Sequence, residues 1–221
     1  MSRRISANDA ESLLLRRVGR KGISKEKLAE QAAGKPELIQ VLLNGLDDER
    51  AATRYGCAKV LRLMSERRPE ALYPYFDSYI ALLEHNNRIM NWEGLHVIGN
   101  LAANDHENRV DRILDRYLAL ITGPVMISAA NAVQGAGKIA RAKPYLADRI
   151  ATAILGVEQA EYRTAECRNV ATGHAIESLD RFFEHIRNQR PVVEFIKRQL
   201  KNTRTSTRKK AAQFLTSRHC Y

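Results

Sequence analysis

The stretch from Leu38 to Met64, LIQVLLNGLDDERAATRYGCAKVLRLM, holds two helix-forming runs on either side of a turn marked by Asn44-Gly45 and Asp47-Asp48. Its second run ends on an apolar anchor, Leu63, with Val60 three residues before it and Lys59 four before. The same anchor recurs at Leu101, Ile139, Leu179 and Leu215, at separations of 38, 38, 40 and 36 residues. Three residues before those anchors stand Ile98, Ala136, Ile176 and Ala212; four before stand Val97, Gly135, Ala175 and Ala211. Apolar or small residues at i, i+3 and i+4, repeating every 38 residues or so, describe the second helix of a recurring helix–turn–helix unit.

Working outward, a first helix precedes each of these: Pro36–Leu46, Pro69–Leu83, Arg109–Ile121, Pro144–Leu155 and Val192–Leu200. Pro36, Pro69 and Pro144 open three of them, where a missing N–H costs nothing. The second of the five carries the apolar stripe Leu72, Phe76, Tyr79, Ile80 and Leu83. A lone hairpin cannot bury both of its faces, but stacked neighbours can. Upstream, Gly19 and Gly22 separate an opening helix over about 8–18 from a second one over 24–33 with Ser24 as its N-cap. The expectation is an all-α superhelix of about five helix pairs plus N-terminal helices. It forms one domain over 1–221, with an N-terminal cap (1–35), central repeats (36–188) and a basic last repeat (189–221). Aromatic content of 6% and the lack of alternating Val, Ile and Thr runs argue against sheet.

Residues 38–64 and 69–102, the latter reading PEALYPYFDSYIALLEHNNRIMNWEGLHVIGNLA, resemble the HEAT/armadillo superfamily of helical repeats. The resemblance covers roughly 36–216 and implies an α-solenoid whose second helices line a concave surface. It says little of function, because such repeats serve many unrelated roles.

The chain carries 36 Lys and Arg against 25 Asp and Glu, a net charge of +11. Residues 1–35 hold nine cations against four acids and 189–221 nine against one, so the body between is nearly neutral. Basic ends suit an anionic partner or act as solubilising caps on a repeat row. No run of about 18 apolar residues occurs, and the N-terminus has no apolar core typical of a secretory signal. Cys57, Cys167 and Cys220 are widely spaced and form no C-x-x-C pair. A cytoplasmic protein that binds no membrane is expected.

The repeat register also selects a polar strip. One, five and eight residues before the anchors, the second and third units place Glu93, His96 and Asn100, then Asn131, Gln134 and Lys138. Spacings of three and four put each trio on one side of its helix. Arg62 and His174 occupy the same columns in the first and fourth units. These eight residues are the candidate partner-binding surface, and a protein partner on the concave face is the leading expectation. The second is nucleic-acid binding through Lys197, Arg198, Lys201, Arg204, Arg208, Lys209 and Lys210, the first four of which share 3–4 spacing and suggest one charged helix face. Some proteins of the resembled superfamily are DNA glycosylases acting on alkylated bases. Here Trp92 is the only tryptophan and the body of the chain is not basic, which departs from that pattern, and only Phe195, Phe214 and Tyr221 are near the basic run for base stacking.

No enzyme, metal or cofactor is expected. Glu93-x-x-His96 has the spacing of one half of a di-iron site, but no second such pair follows. Cys167 and His174 lie seven residues apart, two turns of one helix, too far for the histidine to activate the thiol. Phosphate-loop, dinucleotide and nucleophile-elbow motifs are missing, and Gly135-Ala-Gly137 reads as close helix packing. Glu166, Arg168 and Asn169 read as contacts between repeats.

Overall fold

A computed structural model describes residues 7–219, so Cys220 and Tyr221 lie outside the described residues. The chain is helical, with no strand among the described residues. The opening helices are α1 (Ala7–Gly19) and α2 (Lys25–Ala32). The first hairpin is α3 (Pro36–Asn44) and α4 (Ala51–Arg67). The second comprises α5 (Pro69–Leu72), a 3-10 turn, α6 (Phe76–Leu82) and α7 (Arg88–Leu101). Then come α8 (Arg109–Ala119) with α9 (Met126–Ala142), α10 (Ala147–Leu155) with α11 (Ala165–Phe182), and α12 (Arg190–Gln199) with α13 (Thr205–Ser217). Five helix pairs preceded by two helices is the architecture the repeat spacing predicts.

Local chemistry sets the boundaries. Gly22, at φ +80°, turns the chain between α1 and α2, and Ser24 Oγ accepts from the Lys27 amide as the N-cap of α2. Lys35, Arg68 and Lys143 each precede a proline and each is extended, at φ −133°, −139° and −128°. The proline ring disfavours helical geometry in the residue before it, and at these three sites the extended residue separates one helix from the next. In the loop before α8, Asp105 takes the Arg109 and Val110 amides on its two oxygens, at 2.8 and 2.9 Å, while Asn108 turns the chain at φ +54°.

The contacts divide the chain into two compact units, one ending at Val97 and one beginning at Ile98. In the first, α1, α2 and α3 all pack on α4. In the second, α9 packs on α11 and α11 on α13, while α8, α10 and α12 lie against their neighbours. Second helices approach closely because small residues meet there. A methyl group on Gly99 would stand 2.9 Å from the Gly135 Cα, and Gly137 backs onto Ser178, whose hydroxyl donates to the Val133 carbonyl at 2.7 Å. The Gly135-Ala-Gly137 stretch is therefore a packing device.

The register column is buried at Val60, Ile98, Ala136 and Ile176. Ala212 departs from it and is exposed, while Ala211 is buried in its place. The α13 helix packs on α11 and α12 and leaves Ala212 exposed.

Candidate functional site

The polar strip divides between the two units, and in each it forms cross-helix pairs. In the first unit, Arg62 on α4 faces Glu93 on α7, with Arg62 Nε 3.4 Å from Glu93 Oε2. Both atoms are buried and the pair lacks hydrogen-bond geometry. Burial pushes the Glu93 carboxyl above its usual range; Arg62 and Lys59 pull it back, and Glu66 adds to the rise. Glu93 thus faces an arginine, and His96, one turn along, is half-buried. No group of three or more His, Cys, Asp or Glu is placed to hold a metal ion among the described residues.

In the second unit the pairs run from one second helix to the next. Lys138 Nζ donates to Asn100 Oδ1 at 2.5 Å. Gln134 Nε2 lies 3.4 Å from His174 Nδ1, which is 3.7 Å from Glu177 Oε2; the other Glu177 oxygen takes Lys210 Nζ at 2.9 Å. Asn131 stands half-buried one turn before Gln134 on α9. Burial lowers the His174 pKa, the Lys210 charge lowers it further, Glu177 opposes this, and Arg181 and Arg204 add to the fall. His174 is therefore a neutral imidazole at physiological pH, able to accept on one ring nitrogen and donate on the other.

Two members of this network lie outside the eight residues picked from the sequence. Glu177, three residues after His174, carries a legible i,i+3 signal. Lys210 occupies the same register column as His96, Gln134 and His174, so it belongs with the strip as well as with the basic run. The lower rows of the other two columns are core: Ala171, Ser178, Thr207 and Phe214 are buried.

The C-terminal cations are arranged differently from the expectation of one charged helix face. The α12 helix stops at Gln199, which leaves Lys201 and Arg204 in the following loop. Asn202 ends the helical course, its Oδ1 accepting the Arg204 amide at 2.9 Å as an Asx turn. Arg198 forks onto Glu158 at 3.1 and 2.7 Å, Arg204 pairs with Glu166, and Arg208 donates to the Asn202 and Thr203 carbonyls at 2.7 and 2.9 Å. Lys197, Lys201 and Lys209 are exposed, and none forms an ion pair with a described residue. Glu166 and Asn169 do bridge repeats, the latter through Thr203 Oγ1 at 2.8 Å, whereas Arg168 donates to the Ala160 carbonyl in its own hairpin at 3.2 Å.

Other reactive groups are embedded. Cys57 is buried and its thiol is pushed up to about 12 by burial, first of all. Cys167 packs with Ala129, Ala160, Tyr162 and Ala171. A cleft of about 500 Å³ among α1, α2 and α3 is lined by the apolar side chains of Leu13, Leu14, Leu28, Leu38 and Val41. Arg17 and Lys35 line it together with Glu11 and Glu37, which selects neither sign of ligand. No helix among the described residues is long and apolar enough to cross a membrane.

Neither a protein-family model nor a curated protein matches the chain. Solved structures do. A designed armadillo repeat protein is similar over 93% of this chain and 98% of its own, at 15% identity and a TM-score of 0.52. A second, solved in complex with the peptide (KR)4, covers the same shares at 13% identity and a TM-score of 0.50. At such identities the likeness establishes the fold, which is an armadillo/HEAT-type helical repeat.

Proposed function

We propose that the protein is a non-enzymatic binding module that takes an extended segment of a protein partner on the polar face of its second helices. The observation that carries this reading is the cross-helix network itself. Asn100–Lys138, Gln134–His174 and Glu177–Lys210 hold polar groups, half-buried except for the exposed Glu177, in fixed positions on α7, α9, α11 and α13, at intervals of one repeat. Arg62 and Glu93 do the same in the first unit. Amide, imidazole and ammonium groups held in register suit the alternating N–H and C=O groups of an extended chain, and holding them in place beforehand lowers the ordering cost of binding. That a designed armadillo repeat protein takes up a peptide supports the reading by analogy of fold.

Nucleic-acid binding by the C-terminal segment draws less support. Arg198, Arg204 and Lys210 already face carboxylates, so a phosphate backbone would have to compete with them.

Selection of the full-length protein against a random peptide library, followed by titration of the recovered sequences, tests the proposal. Gln134→Ala and His174→Ala should each weaken the recovered peptides about tenfold while leaving the helical circular dichroism intact. Recovery of no peptide, or of peptides indifferent to both substitutions, would remove this face from consideration.

A further inference from the structure

Ion pairs between successive hairpins of the second unit share a direction. Lys143 reaches back to Asp105 at 3.0 Å and Asp111 at 2.8 Å, and Arg187 to Asp148 at 2.6 Å. Arg198 reaches back to Glu158 at 2.7 Å, Lys210 to Glu177 at 2.9 Å and Arg218 to Asp180 at 2.9 Å. Arg149–Asp115 and Arg204–Glu166 run the same way. In each the cation belongs to the later hairpin and the acid to the earlier one, so a hairpin presents bases backward and acids forward. In the first unit Arg67–Glu30 follows this order and Arg62–Glu93 reverses it.

The last hairpin breaks the pattern on its forward side. Its one acid, Glu194, is held by Arg190 of the same helix at 2.8 Å. The exposed charges left are Lys197, Lys201 and Lys209. Apolar residues stand three positions after two of these lysines: Leu200, 44% exposed, follows Lys197, and Ala212, at the register position that is covered at Val60, Ile98, Ala136 and Ile176, follows Lys209. A further hairpin built like the others would bring bases to this side and meet like charge.

We propose that the side of the α12–α13 hairpin turned away from α10 and α11 docks an acidic segment of a protein partner, its carboxylates on Lys197, Lys201 and Lys209 and its apolar side chains on Leu200 and Ala212. This surface is separate from the second-helix network, and the inference does not rest on that network binding anything. The residue types favour a protein over nucleic acid. Arg198 and Arg204, whose planar forks would grip phosphate, are turned to internal carboxylates, and the outward charges are lysines flanking apolar side chains. Three phosphate contacts would give only weak, salt-sensitive affinity.

The test is a fluorescence anisotropy titration of the full chain with a labelled helical peptide that carries glutamates along a leucine stripe. The controls are the same peptide with lysines for glutamates and a single-stranded oligonucleotide of equal charge. The triple variant Lys197→Glu, Lys201→Glu, Lys209→Glu should lose about tenfold in affinity for the acidic peptide. A second triple variant, Lys21→Glu, Lys27→Glu, Lys35→Glu, changes the net charge equally from exposed positions in the first unit and should bind as the parent does. The inference is overturned if the acidic peptide does not bind, if both triple variants lose affinity alike, or if the oligonucleotide binds as tightly and shows the same loss.

Discussion

Replacing Lys143 with methionine should be among the most damaging substitutions of a charged residue in this protein. The ammonium lies 2.8 Å from Asp111 Oδ2, 2.8 Å from Asn108 Oδ1, 3.0 Å from Asp105 Oδ2 and 3.0 Å from the Tyr145 hydroxyl. The Lys143 side chain is 6% exposed and that of Asp105 is 0% exposed. Burial alone would lower the lysine pKa, but hydrogen bonds to Asp111, Tyr145 and Asp105 and the charge of Asp105 outweigh it and raise the pKa well above the usual lysine range. Methionine keeps the length and apolar stem of the side chain while deleting the charge, which takes the Lys143 ammonium away from the buried Asp105 carboxylate. Breaking a buried pair in this way costs about 3–5 kcal/mol. Asp105 keeps the two backbone amides at the start of α8, so the lower end applies, about 3 kcal/mol. Arg149→Met is the comparison, because its pair with Asp115 is 49% and 86% exposed and should cost about 0–1 kcal/mol. Urea unfolding followed by circular dichroism reads both. The double variant Lys143→Met, Asp105→Asn should recover part of the loss, since the buried carboxylate that lost its lysine is gone too. The reasoning fails if Lys143→Met costs no more than Arg149→Met.

Three further outcomes follow from the packing and the electrostatics. Gly99→Ala puts a methyl group against the Gly135 backbone, where neither helix can yield cheaply, and should lower stability by about 1–3 kcal/mol in the same urea experiment. His174 has a folded-state pKa below its ordinary value of 6.5, so the unfolded chain binds its proton first as pH falls. Its contribution to stability is complete above 6.5 and is lost as pH falls from there through the folded-state pKa. Urea midpoints measured across that window should drop on acidification, and the drop should shrink in His174→Gln. Cys57, buried and with its thiol held protonated at neutral pH, should resist an aromatic disulfide reagent in the native protein and react once urea unfolds it; native-state reaction as fast as unfolded would contradict its placement.

The hairpins were legible because burial repeats with the helix period: Val60, Ile98, Ala136 and Ile176 lie in the core as their spacing demands. Ala212 was not: it is exposed where the others in its column are buried, and its neighbour Ala211 takes the buried place. The run Lys197, Arg198, Lys201, Arg204 has the spacing of one helix face, but the Asn202 side chain turns the chain there and the face ends at Gln199. Polar partners across repeats were the hardest to foresee. Glu158 and Glu166 lie 40 and 38 residues before the arginines they hold, and sequence separation near one repeat marks a candidate pair without showing that the side chains meet. For the same reason the run of cations around Lys210 does not show that its ammonium faces Glu177.

Hydrogen exchange read by mass spectrometry, with and without a peptide recovered from the library, addresses the binding face most directly. Slowed exchange in segments covering the second helices, α4, α7, α9, α11 and α13, with α8 and α10 unchanged, is the expected pattern. Slowing on α8 and α10, or none at all under saturating peptide, would mean that the second helices do not carry the binding surface.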